Sequence, residues 1–297
     1  MDYLAMNLEL CVLASGSGGN AALVRCGDAA LLIDAGIGPV TADRRMIGTG
    51  LDVTTIRAIC LTHLDGDHIH PAWFRVMLRH QIRLFVPANY IQLLRRLARL
   101  EDVLKPVMAL TATFTQDVFY PLPAVSCTAL RLPHDKKGSF GLLLQSDNTR
   151  IGYATDFGRA TPELVELFAG ADILAVESNY DPEMQLRSNR PPRLKKRIMN
   201  GAGHLSNAQA LELIGRILDR TVEKYGPDHQ PHHLVLLHRS QKCNCQIKLH
   251  AAFAADERIA PKLTLAHQHQ RTEWLGAPDR KALPGEQLCM FNSLSLQ

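Results

Sequence analysis

Apolar residues in the first third of the chain come in short runs, at Leu8–Ala14, Ala21–Cys26 and 31–34. Turn-forming residues separate them, Ser15-Gly16-Ser17-Gly18-Gly19-Asn20 after the first run and Gly27-Asp28 after the second. Runs of this length with such boundaries predict the β-strands of a meander. A fourth run, 57–61, predicts a buried strand that delivers the chain directly into His63-Leu64-Asp65-Gly66-Asp67-His68. Helical patterns then mark 71–79 and 87–100, with a strand at 83–86 between them.

The same order returns further along. Strands are predicted at 124–132, 141–145 and 150–155, followed by a helix with Thr161 as N-cap and Pro162 in its first position. Strand Ile173–Glu177 precedes a helix that opens on a capping box formed by Ser206 and Gln209 and runs to about residue 219. Strand His233–Leu237, a helix over 244–253 and a strand over 263–266 complete the series. Two similar halves, each mostly β then α, predict an α/β fold in which two sheets pack face to face with helices outside. Polar loops then gather along one sheet edge. A single domain is expected over 1–276, and residues 277–297, polar and without periodicity, read as a C-terminal tail.

Composition narrows the class. The chain has 297 residues, 46% of them hydrophobic, enough for a large core. No apolar stretch approaches the roughly 18 residues that cross a bilayer, and no basic region precedes an apolar run at Met1-Asp2. A cytoplasmic location with no membrane partner is expected, and no obligate protein partner is inferred. The seven cysteines are odd in number, and the spacing of Cys243 and Cys245 is too short for a zinc ribbon, so all are expected to be structural or redox-inert. The net charge of +4 permits a polyanionic partner without requiring one. Its distribution says more: Arg187, Arg190, Arg193, Lys195, Lys196 and Arg197 follow one another with no acidic residue between.

His63, Asp65, Asp67 and His68 mix imidazole with carboxylate, which suits zinc, iron or manganese. A polar helix N-terminus capped by Asp65 or Asp67 would account for the same segment. Further candidate ligands follow other predicted strands: His134 and Asp135, then Asp156, then His238. Each alone reads as a solvent-facing strand end. Together they would converge at one sheet edge.

With these pieces in place the chain resembles the metallo-β-lactamase fold hydrolases, and among them the YycJ/WalJ type of bacterial enzyme. The resemblance is carried by Ala14-Ser15-Gly16-Ser17-Gly18-Gly19-Asn20, Leu32-Ile33-Asp34-Ala35-Gly36, Leu61-Thr62-His63 through His68, Tyr153-Ala154-Thr155-Asp156, Glu177-Ser178-Asn179-Tyr180-Asp181, Gly203-His204-Leu205-Ser206-Asn207 and Leu237-His238. It implies an αββα sandwich with a dinuclear centre of two divalent ions (Zn, Mn or Fe) at its edge. His63 and His134 would hold the first metal, with Asp65 where the family usually has a second His. Asp67, His68 and His238 would hold the other, Asp156 would bridge, and Asp34 would hydrogen-bond a ligand histidine or fix the loop.

Asp at position 65 should favour a harder metal such as Mn²⁺ or Fe²⁺. A second departure is Arg239-Ser240-Gln241-Lys242-Cys243-Asn244, which replaces the family's usual Leu-Ser and paired-Asn pattern. The resemblance further implies hydrolysis by a metal-activated hydroxide, with Asp67 orienting or deprotonating the nucleophile and His204 protonating the leaving oxygen or binding phosphate. Arg193, Arg197, Ser206 and Asn207 would bind substrate, and the expected substrate is DNA, attacked by an exonuclease-like phosphodiesterase. Three alternatives stay open: hydrolysis of a lactone, thioester or small phosphodiester, diiron redox chemistry, and a binding module with a structural metal.

Overall fold

The computed structural model describes residues 6–278. Its first strand explains why the apolar runs are nearly continuous. In β1 (Leu8–Ala14) the side chains of Leu8, Leu10 and Val12 enter the core between two sheets, while Cys11 and Leu13 enter a second core beneath helices. A strand buried on both faces has no polar face to show in the sequence.

The first half continues with β2 (Ala21–Cys26), β3 (Ala29–Ile33), β4 (Ile56–Cys60), β5 (Arg83–Pro87) and β6 (Thr111–Phe114). The second contains β7 (Val118–Leu122), β8 (Val125–Leu132), β9 (Ser139–Gln145), β10 (Arg150–Ala154), β11 (Ile173–Glu177), β12 (His233–Leu237) and β13 (Leu263–Leu265), and β14 (Leu275–Gly276) follows. The described residues form two seven-stranded sheets, ordered β14-β1-β2-β3-β4-β5-β6 and β13-β12-β11-β10-β9-β8-β7. In the first, β1 to β3 are antiparallel and β4 to β6 add in parallel. The second repeats the scheme, antiparallel from β7 to β10 and parallel from β10 to β13.

Helices α1 (Pro39–Met46), α2 (Trp73–His80), α3 (Ile91–Leu100) and α4 (Leu104–Ala109) follow strands of the first half, and their buried residues, among them Trp73, Phe74, Met77 and Leu94, pack against Leu13, Leu23, Leu32 and Ile59. Trp73 is fully buried and its Nε1 donates to the Ile37 carbonyl at 2.8 Å, so its truncation to Ala should cost about 3–5 kcal/mol. On the other outer face lies α5 (Pro162–Phe168); after it come α6 (Pro182–Arg187), α7 (Pro192–Met199), α8 (Asn207–Tyr225) and α9 (Gln246–Phe253). Leu164, Phe168, Leu213, Ile217 and Phe253 meet Leu174, Val176, Leu234 and Leu236 there. The αββα sandwich is the architecture expected.

Several boundaries differ from the sequence reading. Asp34 lies just beyond β3 in a left-handed conformation, because the chain turns out of the sheet there. Residues 87–100 do not form one helix: Pro87 ends β5 and a 3₁₀ turn, Ala88–Tyr90, precedes α3. Helix α8 runs on to Tyr225, with Gly226 at φ 93° as its stop. The basic stretch folds largely into α6 and α7, which pack on a small core of Tyr180, Ile198 and Cys243. Cys11, Cys26, Cys60, Cys127 and Cys243 are buried free thiols and Cys245 is a partly buried one, whereas Cys289 and residues 279–297 of the expected tail lie outside the described residues. Among the described residues no helix is long and apolar enough to cross a membrane.

Candidate metal centre

The candidate ligands sit where strands end and the backbone turns sharply. Asp34, Asp135, Asp156 and His238 follow β3, β8, β10 and β12 and take positive φ, 56°, 41°, 56° and 52°. Such a conformation costs an L-residue roughly 1–2 kcal/mol, and its recurrence at strand ends of both sheets around one centre marks a site whose geometry the surrounding fold imposes. Crowding is also severe at Gly36. A Cβ built there would lie 1.7 Å from the Asp67 carbonyl oxygen, because Asn20 N donates to that oxygen at 2.8 Å and Gly36 N donates to Asn20 O at 2.8 Å. The glycine-rich loop, the loop after β3 and the His63–His68 segment are thereby laced together.

Four overlapping groups of candidate ligands result among the described residues, and two of them match the expected pair of sites. In the first, Oδ2 of Asp65 lies 3.8 Å from His63 Nε2 and 4.0 Å from His134 Nε2. In the second, Oδ2 of Asp67 lies 3.8 Å from His68 Nε2 and 3.6 Å from His238 Nε2. Asp156 stands between them, its Oδ2 3.0 Å from His68 Nε2, and it also forms a possible ligand group with His63 and His68. The donor set fits divalent cations: Nε2 of His63 and Nε2 of His238 are buried with no hydrogen-bond partner, facing carboxylates across a common space.

Supports behind the ligands are unequal. Asp34, fully buried, accepts from Thr62 N at 2.8 Å and lies 2.8 Å from His68 Nδ1, which turns Nε2 of that ring toward the centre. Behind His238, Glu177 Oε1 lies 3.0 Å from Nδ1, and Asn179 Nδ2 donates to the His238 carbonyl at 2.7 Å. His134 Nδ1 lies 3.1 Å from the Gly203 carbonyl. Asp65 has no such brace in the hydrogen-bond network of the described residues, and 46% of its side-chain surface is exposed, against 4% for Asp156.

Charge follows the same division. Burial, reinforced by His68, holds His63 well below the ordinary histidine range, so its lone pair is free. Burial pulls His68 and His238 the same way, but Asp34 and Asp156 outweigh it for His68, and Asp156 and Asp67 outweigh it for His238, which is pushed up to about 10. Burial works to raise the Asp156 carboxyl and is overcome by His238 and His68, which hold it well below the carboxylate range. Burial raises Asp65 instead. Without metals, protons on His68 and His238 supply the positive charge the carboxylates require.

Above the ligands opens a cleft of about 250 Å³ whose lining includes Ser17, Asn179, Arg190, Leu194, Arg197 and His204. His204 Nδ1 lies 2.7 Å from Glu177 Oε1. Glu177 therefore touches both His204 and His238, a role the sequence reading missed although it quoted the residue. Its signal was a lone carboxylate closing the apolar strand Ile173–Glu177, where burial without a partner would be prohibitive.

A family model of the β-lactamase superfamily domain matches residues 30–222. The chain belongs to this superfamily, and its fold is that of the metallo-β-lactamase hydrolases. Exodeoxyribonuclease YycJ of Bacillus anthracis is 25% identical over 226 residues, covering 74% of this chain and 81% of the relative. The anti-Pycsar protein Apyc1 of Paenibacillus xerothermodurans is 30% identical over 187 residues, covering 54% and 71%. Zinc-bound PqqB from Methylobacterium extorquens shares the fold at a TM-score of 0.65 and 17% identity over 89% of this chain and 99% of that one.

Within this superfamily fold, three expected substrate-binding positions are placed differently. The Ser206 hydroxyl and Gln209 close the capping box of α8, and Asn207 is buried, its side chain bonded to Ser178 and Asn244. Both point into the packing of α8 instead of the cleft. Arg193 is exposed on α7 and does not line the cleft, whereas Arg190 does, held by Gln185 Oε1 at 2.9 Å and Ser240 Oγ at 3.2 Å. Arg197 lines it too, paired with Asp135 through Nε to Oδ1 at 3.2 Å.

Proposed function

We propose that this chain is a metal-dependent phosphodiesterase that degrades DNA in an exonuclease-like manner. The observation that carries the reading is the shared cleft: two ligand groups meeting at Asp156 open beneath Arg190 and Arg197. The name of the YycJ relative supports it. His63, His134 and Asp65 would hold one ion, Asp67, His68 and His238 the other, with Asp156 between them; Asp65 inclines the first site toward Mn²⁺ or Fe²⁺ over Zn²⁺. When bound, a pair of divalent ions brings the pKa of a water near neutrality and offsets the charge that builds on a phosphoryl group.

The side chains then divide the remaining work. Asp67 orients the attacking water and takes its proton. His204, its Nδ1 turned to Glu177, is left with Nε2 to hold a proton for the leaving oxygen. Arg190 and Arg197 engage phosphates of the strand through contacts blind to base sequence.

Salt separates this reading from that of a small-substrate hydrolase. Two phosphate contacts predict that DNA degradation by metal-loaded protein falls roughly tenfold between about 50 and 200 mM salt, while cleavage of bis(p-nitrophenyl) phosphate changes little. Cleavage of the small diester without any degradation of DNA would overturn the nucleic-acid reading.

A further inference from the structure

Immediately after His238 the side chains part. Ser240 lines the metal cleft, whereas Arg239 and Gln241 line a second cavity of about 380 Å³. Ser15, His267, Gln268 and His269 also line that cavity, and no Asp or Glu does. Arg239 Nε is buried and makes no hydrogen bond, and no carboxylate of the described residues pairs with the guanidinium. His267 lines the same cavity, and burial, with the Arg239 charge as the lesser cause, holds it below the ordinary histidine range. A permanent cation walled by hydroxyl, amide and imidazole groups is a binding environment for an oxyanion.

The wall is built, not loose. Gln268 Oε1 accepts from Gly18 N at 2.7 Å, and its Nε2 donates to Gly19 O at 2.9 Å. Arg45 Nη1 donates to the carbonyls of Leu13 and Gln268 at 2.8 and 2.9 Å. Ser15 Oγ accepts from His238 N at 2.7 Å, which leaves the hydroxyl proton to donate. The glycine-rich loop that carries Ser15 into this cavity also carries Ser17 into the metal cleft, so the two spaces adjoin across one loop. Arg239 is one of the residues at which the chain departs from the Leu-Ser pattern usual in the family it resembles.

We propose that this cavity is an anion subsite, with Arg239 as its charged donor, that takes a phosphate group of the substrate strand away from the bond being cut. The strand as source rests on the phosphodiesterase reading; inorganic phosphate is the other source of the same chemistry.

The test compares metal-loaded wild type, Arg239→Gln and Arg239→Lys in binding short single-stranded phosphorothioate oligonucleotides that carry a 5′-phosphate, a 3′-phosphate or neither. The subsite predicts that Arg239→Gln weakens binding about tenfold, that Arg239→Lys retains part of the affinity, and that the slope of log affinity against log salt falls by about one. Loss confined to one terminally phosphorylated oligonucleotide assigns the subsite to that terminus; equal loss for all three assigns it to an internal phosphate. Equal binding by wild type and Arg239→Gln overturns the proposal and leaves the phosphodiesterase reading standing if DNA is still degraded. Titration with inorganic phosphate supplies the second arm. An Arg239-dependent response to phosphate alone, with DNA binding unaffected, assigns the cavity to free phosphate and overturns the strand. If wild type binds no DNA, the phosphodiesterase reading fails, and the phosphate arm still decides whether the cavity takes an anion.

Discussion

The two halves of the candidate metal centre use similar residue types and are built differently. The group of Asp67, His68 and His238 is enclosed: Asp34 stands behind His68, Glu177 and Asn179 stand behind His238, and Asp156 closes the side. The group of His63, His134 and Asp65 ends in a half-exposed carboxylate without a brace. A braced ligand loses little freedom when it binds a cation, and a free one must be ordered first. The difference teaches that the enclosed group is expected to hold its ion tightly and the open one to hold its ion loosely, with a choice of metal set by Asp65.

The largest effect should come from breaking what the halves share. Asp156→Asn or Asp67→Ala removes a proposed ligand and should lower turnover by well over the roughly 100-fold typical of losing an outer hydrogen-bond partner. Metal content measured beside the rate checks it. Next comes Asp34→Ala, which frees the His68 ring and should weaken the enclosed site by about 10- to 100-fold and the open site less, because Asp34 reaches His63 only through the Thr62 hydroxyl, 3.0 Å from Asp34 Oδ2 and 3.0 Å from His63 Nδ1, as read by calorimetric metal titration. Equal weakening of both sites would erase the distinction.

Proton release offers a third contrast. His68 and His238 are raised by their carboxylate neighbours and carry protons in the metal-free protein at neutral pH, so an ion entering the enclosed site must displace them. Raising the pH lowers that cost, so affinity there should rise by up to about tenfold per pH unit for each proton released, and fall as pH drops. His63 is already neutral, so the open site should respond less. Titrations in buffers of different ionisation enthalpy count the protons. The smallest effect should follow Arg197→Ala, which removes one of the two proposed phosphate contacts and should reduce the salt slope of DNA binding by about one.

Sequence pattern revealed the sandwich because its strands are short, apolar and followed by polar turns. It also brought His63, Asp65, Asp67, His68, His134, Asp156 and His238 into view, since each lies at or just beyond a strand end. What it missed depends on side-chain direction. Glu177 belongs to a strand and acts through two histidines distant in sequence, and Ser206 and Asn207 lie beside His204 yet turn into the helix they open. Sequence pattern favoured Arg193 over Arg190, whereas the turn between α6 and α7 puts Arg190 in the lining of the cleft and leaves Arg193 exposed on α7.

End-labelled DNA incubated with protein depleted of metal, then restored with Mn²⁺ or Zn²⁺, tests the account most directly when Asp67→Ala is run beside wild type. The account predicts degradation that disappears with the metal, returns with it, and is absent from Asp67→Ala. Wild type that binds two ions and leaves DNA intact, or Asp67→Ala that degrades it as fast, would contradict the account.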